Sequence, residues 1–355
     1  MQDTDSAGKG ERAALAQALR AVHADLLAVV LAETQIQSEA SLARVHKRTA
    51  ADTIYHIDRV GEGPLLEALE RHLAPLAPVL LIAEGVAEQG RTIPAGTPTE
   101  QVRWRLLMDP LDGTRGLMYQ KRSAWILSGL APDRGPATSL QDIEVAVQTE
   151  VPLVKQHLYD QLWAVRGEGA QARRIHRFSG ASEGLPLQPS TATSLAHGFG
   201  SVCRFFPGGR DVLGRVDDLI ARRLLGPGTA GVSRCYEDQY IASGGQLYEL
   251  MVGHDRYVAD VRPWLAPLLQ ARGEAAPSCA HPYDLSTLLI AEEAGVVITN
   301  LEGGPVDAPL DTTTDVGWVG YGNASLRATI EPALREALRH TGLWPTGAVP
   351  HPENP

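Results

Sequence analysis

Apolar residues recur at three- and four-residue steps from residue 12 onward: Leu15, Leu19, Val22, Leu26, Val29 and Val30. That spacing predicts a helix with one core-facing stripe. Residues 1–11 lack the stripe, and a loose tail is expected there. A second helix is expected over residues 52–73, stopped by Pro75 and Pro78. The pattern then changes. Residues 79–83 (VLLIA) and 104–108 (WRLLM) are short, nearly unbroken apolar runs, as buried strands are. Each run ends on a carboxylate, Glu84 and Asp109. Residues at strand ends are held rigidly yet reach an open sheet edge, so the pair is a first hint of a site.

Further strands are expected at residues 125–130, 144–151, 162–165 and 296–299, and helices at 212–225, 285–294 and 331–339. Gly167-Glu168-Gly169 marks a tight turn, and Gly226-Pro227-Gly228 stops a helix. Residues 176–198 are rich in Ser, Thr, Gly and Pro, which predicts a surface connection. The expected organisation is one catalytic unit over residues 12–340, with α/β halves at about 12–175 and 199–340, and a C-terminal tail at 341–355 whose Pro-rich end, Val349 to Pro355, is expected to fray.

Composition narrows the classes. The chain of 355 residues is 44% hydrophobic and 21% charged, which is globular material and not disorder. No run of about 18 apolar residues occurs, so no transmembrane helix is expected. The polar start, residues 1–12, lacks the apolar centre of a secretion signal. Cys203, Cys235 and Cys279 are odd in number and far apart. That argues against a disulfide framework or a thiolate zinc site and fits idle thiols in a reducing cytoplasm. The net charge of −10 disfavours a nucleic-acid surface. An anionic substrate remains compatible, because bound metal ions invert the local field.

The strongest chemical signal is Asp109-Pro110-Leu111-Asp112-Gly113-Thr114. Two carboxylates three residues apart, just after a buried strand, can converge on one point. Pro110 stiffens the turn and removes a backbone donor. Gly113 permits close approach of a ligand. A helix starting near Thr114 would turn its first N–H groups toward an oxyanion. Carboxylates without soft ligands favour Mg²⁺, Mn²⁺ or Ca²⁺ over zinc. The same hexapeptide is also compatible with a simple Asx turn and helix cap.

This segment resembles the signature of the inositol monophosphatase family, within the lithium-sensitive, fructose-1,6-bisphosphatase-like phosphatase superfamily. Ile82-Ala83-Glu84 looks like that family's strand ending in a metal-binding glutamate, although its usual second Glu is Gly85 here. Residues 52–58 (DTIYHID) match its upstream Asp-x5-Asp element, and 162–170 (LWAVRGEGA) its strand and Gly-x-Gly-Ala turn. Ser243-Gly244-Gly245-Gln246 resembles its substrate-lining segment. Tyr283-Asp284, Glu292-Glu293-Ala294-Gly295 and Gly303-Gly304-Pro305 follow in the family's order.

The resemblance implies an α+β fold, a layered αβαβα sandwich. It implies hydrolysis of a small phosphate monoester, such as an inositol, cyclitol or sugar phosphate, by attack of a metal-activated water. Two or three Mg²⁺ ions are implied, with Mn²⁺ as a substitute. Glu84, Asp109 and the Leu111 carbonyl would hold a first ion. Asp109, Asp112 and Asp284 would hold a second, and Glu84 with Asp58 a third. Thr114, with Asp58 or Glu84, would orient the water. Gly113 and Thr114 amides would hold the phosphate, with Gly244, Gly245, Gln246 and Asp284 around the substrate; Arg115 is added to them from this chain's own residues. A homodimer is implied as well, whereas the expectation of a cytoplasmic protein without nucleic-acid or membrane partners comes from the thiols, the net charge and the lack of a long apolar run.

Departures bear on the substrate. After Thr114 the family continues Thr/Ser-Asn, whereas here Arg115-Gly116-Leu117-Met118 follows, and Lys121 and Arg122 complete a basic cluster. That cluster either grips a second anionic group or is solvated surface charge. The acid that grips inositol hydroxyls has no counterpart in residues 276–282, and Glu274 is out of register. An insertion around Phe205-Phe206-Pro207-Gly208-Gly209-Arg210 is expected to reshape the pocket. Two other readings stay open: a bisphosphate phosphatase of the fructose-1,6-bisphosphate or 3′-phosphoadenosine 5′-phosphate type, and a non-catalytic metal- or ligand-binding relative.

Overall fold

The computed structural model describes residues 2–36, 45–48, 53–55, 62–86 and 89–345. In chain order the first elements are α1 (Gln2–Ile36), β1 (Val45–Arg48), β2 (Thr53–Tyr55), α2 (Glu62–His72), β3 (Val79–Ala83), β4 (Arg91–Ile93), β5 (Trp104–Asp112) and α3 (Thr114–Met118). Then come β6 (Ala124–Pro132), β7 (Val145–Val151), β8 (Leu158–Val165), β9 (Ala170–His176), β10 (Ser182–Gly184), β11 (Phe199–Val202) and α4 (Arg210–Leu225). The last are α5 (Ser243–Met251), β12 (Asp255–Asp260), α6 (Ala266–Ala271), α7 (Leu288–Glu293), β13 (Val297–Thr299), β14 (Trp318–Tyr321) and α8 (Ala324–His340).

Among the described residues, eight strands form one sheet in the order β10-β9-β8-β7-β6-β5-β3-β4, and four form another in the order β11-β12-β14-β13. In the larger sheet β3 and β5 run parallel, and the other neighbours are antiparallel. Three apolar layers separate the elements. The stripe Leu15, Leu19, Val22 and Leu26 packs with Leu65 and Leu69 of α2 onto Leu81, Leu106 and Ile126 of the large sheet. The opposite sheet face, with Leu107, Leu127 and Leu162, meets Leu247 and Leu250 of α5 and Leu289 and Ile290 of α7. Beyond the second sheet, Tyr257 and Val319 pack on Val216 and Ile220 of α4 and Ile330 and Leu334 of α8. The result is the expected αβαβα layering.

Several sequence expectations change. The first helix begins at Gln2, so the expected tail at residues 1–11 is helical from that point. The missing apolar stripe there removed the packing signal, but no proline prevents the helix from continuing. By length and composition residues 8–34 could also cross a membrane, contrary to the count of apolar runs, yet half of the apolar window is buried inside the protein. The second helix is shorter than 52–73: Thr53-Ile54-Tyr55, β-branched and aromatic, pairs with β1 instead. The connection at 176–198 contains β10, which extends the sheet beyond β9. The final helix starts at Ala324, capped by the Asn323 side chain, which accepts the Leu326 N–H at 2.9 Å. Leu343 and Trp344, at the start of the expected C-terminal tail, pack against the third apolar layer; residues 346–355, with the end expected to fray, lie outside the described residues.

One polar contact ties α1 to the sheet. His23 is fully buried, with Nδ1 2.9 Å from Thr149 Oγ1 on β7 and Nε2 2.8 Å from Ser128 Oγ on β6. Burial disfavours the imidazolium and lowers its pKa from 6.5 to about 3. Below pH 6.5 the unfolded chain therefore takes up a proton that the folded chain refuses, and stability falls as pH falls toward 3. His23→Gln should remove about 2 to 3 kcal/mol of the stability lost between pH 6.5 and pH 4.5. Urea unfolding of both proteins at the two pH values checks this; an unchanged pH slope assigns the acid sensitivity elsewhere.

Candidate metal and phosphate site

The site forms where β3 and β5 end side by side. Their parallel register pairs Ala83 with Met108, and the Glu84 N–H donates to the Met108 carbonyl at 3.3 Å. Glu84 and Asp109 therefore leave the same sheet edge together. Past Asp109 the pairing of β5 with β6 shifts register before Asp112. Pro110 has no N–H to give the ladder, and the Leu111 N–H instead donates to Asp109 Oδ1 at 2.9 Å. This is the Asx turn the sequence allowed. Gly113 follows at φ 91°, a conformation that favours glycine, and its missing Cβ would sit 2.9 Å from Ala242 Cβ. α3 then starts at Thr114, whose hydroxyl donates to the Leu111 carbonyl at 2.9 Å.

Asp284 arrives from the other side of the cleft. It lies in a single turn of 3₁₀ helix, Pro282–Leu285, and Asp284 Oδ2 accepts the His281 N–H at 2.7 Å. Carboxylate oxygens of Asp109, Asp112 and Asp284 lie within 4.8 Å of one another. Asp109 and Asp112 are 2% and 7% exposed, so this repulsion acts with little water to screen it. Burial raises the Asp109 pKa well above the carboxylate range, and Glu84, Asp112 and Asp284 push it further, against the Leu111 N–H. Burial and then Asp284 raise Asp112, opposed by the Gly244 and Ser243 N–H groups.

The scaffold behind these acids is specific. The Gly244 N–H, at the start of α5, donates to Asp112 Oδ2 at 2.7 Å. The Gly244 carbonyl accepts from Gln148 Nε2 at 2.8 Å, and Gln148 Oε1 accepts from the Thr287 hydroxyl at 3.0 Å. Gln148, fully buried on β7, thus links the segment that holds Asp112 to the one just after Asp284. A Cβ on Gly244 would meet Leu127 Cδ2 at 2.5 Å.

The structure brings Glu84, Asp109, Leu111, Asp112, Gly113, Thr114, Arg115 and Asp284 to one cleft. Gly244, Gly245 and Gln246 are not among the residues that line it. Gly244 braces Asp112, Gly245 packs against the Tyr240 ring, and Gln246 Nε2 donates to the Tyr240 carbonyl at 2.8 Å. Ser243, the first residue of that segment, does line the cleft, together with Ile241 and Ala242. Asp58 lies outside the described residues. The basic cluster divides. Arg115 lines the cleft with its guanidinium 5.0 Å from the Phe206 ring centre, whereas Arg122 pairs with Asp238 and Glu249 and lies over Tyr240. Glu293 accepts the Gly167 and Gly169 N–H groups at 2.6 and 2.8 Å, which joins two of the motifs that resembled a family pattern. The three cysteines are free thiols.

Sequence reasoning missed Arg262 and the segment from Ser278 to His281, which also line the cleft. Arg262 forms a buried pair with Asp260, Nε to Oδ1 at 2.8 Å and Nη2 to Oδ2 at 2.5 Å. An Asp-x-Arg spacing at a strand end was the available signal, but it is common in loops. The insertion at Phe205–Phe206 was flagged, and both rings line the cleft.

No protein-family model matches the chain, and no curated protein sequence does either. Solved structures do. Leishmania major fructose-1,6-bisphosphatase, solved in holo form, is similar over 94% of this chain and 97% of its own, with a TM-score of 0.66 at 12% identity. The suppressor protein SuhB of Bartonella henselae is similar over 91% of this chain and 96% of its own, with a TM-score of 0.53 at 17% identity. An inositol monophosphatase from Anabaena is similar over 92% and 96%, with a TM-score of 0.52 at 16% identity. Across nearly its whole length, the chain has the layered α+β fold that these inositol monophosphatase and fructose-1,6-bisphosphatase structures share.

Proposed function

We propose that the chain is a Mg²⁺-dependent phosphatase of small phosphate monoesters. The observation that carries this is the convergence of Asp109, Asp112 and Asp284 beside Glu84 at the ends of two parallel strands. Neighbours of the same fold include phosphatases by name. The donor chemistry fits Mg²⁺ or Mn²⁺: every group is a hard oxygen, and buried carboxylates that raise one another's pKa are relieved by a divalent cation. Glu84, Asp109, Asp112, Asp284 and the Leu111 carbonyl would hold two ions, and Asp58 with Glu84 a third. When bound, such ions neutralise phosphoryl charge and make the attacking water more acidic.

The chain's own groups do the positioning. The Leu111 N–H fixes the Asp109 carboxylate, and the Gly244 N–H fixes Asp112. The Thr114 hydroxyl donates to the Leu111 carbonyl at 2.9 Å, and with Asp58 or Glu84 it would orient the attacking water. The first amides of α3, at Gly113 and Thr114, face the phosphate oxygens. A bisphosphate is the second reading, favoured by Arg115 in the cleft lining. A homodimer belongs to the same reading and rests on the family resemblance; a cytoplasmic location rests on the free thiols.

Asp109→Asn keeps size and removes a shared charge. It should lower Mg²⁺-dependent phosphate release at least about 100-fold, since even groups behind metal ligands are worth 10- to 100-fold. Mn²⁺ binding followed by electron paramagnetic resonance should weaken in parallel. Wild-type turnover by this variant would sink the proposal. Gly244→Ala forces its Cβ onto Leu127 and to 3.1 Å from Asp112 Oδ2. It should cost about 1 to 3 kcal/mol in urea unfolding and weaken Mn²⁺ binding, whereas a purely local packing defect would leave the binding intact.

A further inference from the structure

The cleft has a second wall, opposite in character to the acids. Phe205 and Phe206 stand in the loop before α4, edge to face, with ring centres 4.9 Å apart. They are two of only four phenylalanines in the chain, so their adjacency does not reflect abundance. Phe205 packs against the middle apolar layer, whereas Phe206 belongs to no apolar cluster among the described residues and is half-buried at the cleft. Two arginines hold the pair. Arg210 Nε donates to the Arg204 and Phe206 carbonyls at 3.0 and 2.9 Å, and its Nη2 donates to the Phe205 carbonyl. Arg262 lies 4.5 Å from the Phe205 ring centre and 5.6 Å from that of Phe206.

Arg262 is no anion receptor. Its Nε and Nη2 are taken by Asp260 and its Nη1 by the Ser278 carbonyl, and it is 3% exposed. Its charge is cancelled and its plane supports the rings. The same lining mixes apolar Ile241 and Ala280 with polar Ser243, Ser278, His281 and Tyr283. What a planar ring can gain here and a polyol cannot is a stacked layer on the Arg115 guanidinium, which Phe206 backs with its ring centre 5.0 Å away. Because the loop is tied in advance, little ordering entropy opposes that contact.

We infer that Phe206 selects phosphate esters whose alcohol half carries a planar ring, an aryl or nucleoside group, over polyol phosphates. This rests on the phosphatase reading above. The test is steady-state hydrolysis with Mg²⁺ by the full chain, its Phe206→Ala variant and its Phe206→Tyr variant. Phenyl phosphate and adenosine monophosphate stand against glycerol phosphate and inositol phosphate. Phe206→Ala should lower kcat/KM for the planar esters about tenfold or more, mainly through KM, with the polyol esters changed less than about twofold. Phe206→Tyr should restore the planar esters. An effect on phenyl phosphate alone assigns an aryl group, and one on both assigns any flat ring. Equal losses on all esters, or a wild-type preference for the polyols, would overturn the inference and leave the phosphatase reading standing. Failure of the wild type to release phosphate from any ester would overturn both. Titration of phosphate-free adenosine gives a second readout: binding that Phe206→Ala does not weaken also counts against a nucleoside substrate.

Discussion

Mutual repulsion among buried carboxylates is the constraint around which the rest of the cleft is arranged. Asp109, Asp112 and Asp284 would each be more stable apart and in water, yet the chain holds them within 4.8 Å at the edge of a dry core. Nothing in the acids themselves supplies that closeness. It comes from the parallel pairing of β3 with β5, from the broken register after Asp109, and from the 3₁₀ turn that presents Asp284. Burial turns a surface feature of negligible cost into a group of acids that could hold a cation, because the same low dielectric that strengthens repulsion strengthens attraction to a divalent ion.

The bracing is distributed over elements far apart in sequence. Gln148 on β7, Gly244 on α5 and Thr287 before α7 form one hydrogen-bonded line beneath the acids. Each group in that line is buried or in backbone, so its geometry is set by packing and not by solvent. His23 performs a comparable service on the outer face of the sheet, where a neutral imidazole bridges β6 and β7. The two networks share a logic: an uncharged polar group, fully satisfied, locks neighbouring strands at a point where apolar packing alone would not specify register.

Across the cleft the chemistry is reversed. Arg210 spends its donors on backbone carbonyls of the Phe205–Phe206 loop, and Arg262, just after β12, pairs with Asp260 and lays its guanidinium against the rings. The cleft therefore joins a hydrophilic, highly charged end to an aromatic one. Such a division suits a molecule that is itself divided, with a phosphate on one side and an apolar or flat group on the other.

The sequence by itself determined the local part. Unbroken apolar runs announced β3 and β5, a stripe announced α1, and Glu84 with Asp109–Thr114 marked acids of the site, while Asp284 entered only through the family resemblance. These are legible because strand burial and turn chemistry are written in neighbouring residues. The reach of α1 back to Gln2, the strands β9 to β12 and the short α5 were not, since half-exposed or interrupted patterns carry weak periodicity. Only the tertiary structure decided which side chains face the cleft. It turned Gly245 and Gln246 inward to Tyr240, sent Arg122 to Asp238 and Glu249, and set Arg262 and Phe206 in the lining. Apart from the short-range contacts of Gly245 and Gln246 with Tyr240, those choices depend on contacts between residues tens to more than a hundred positions apart, and no local spacing encodes them.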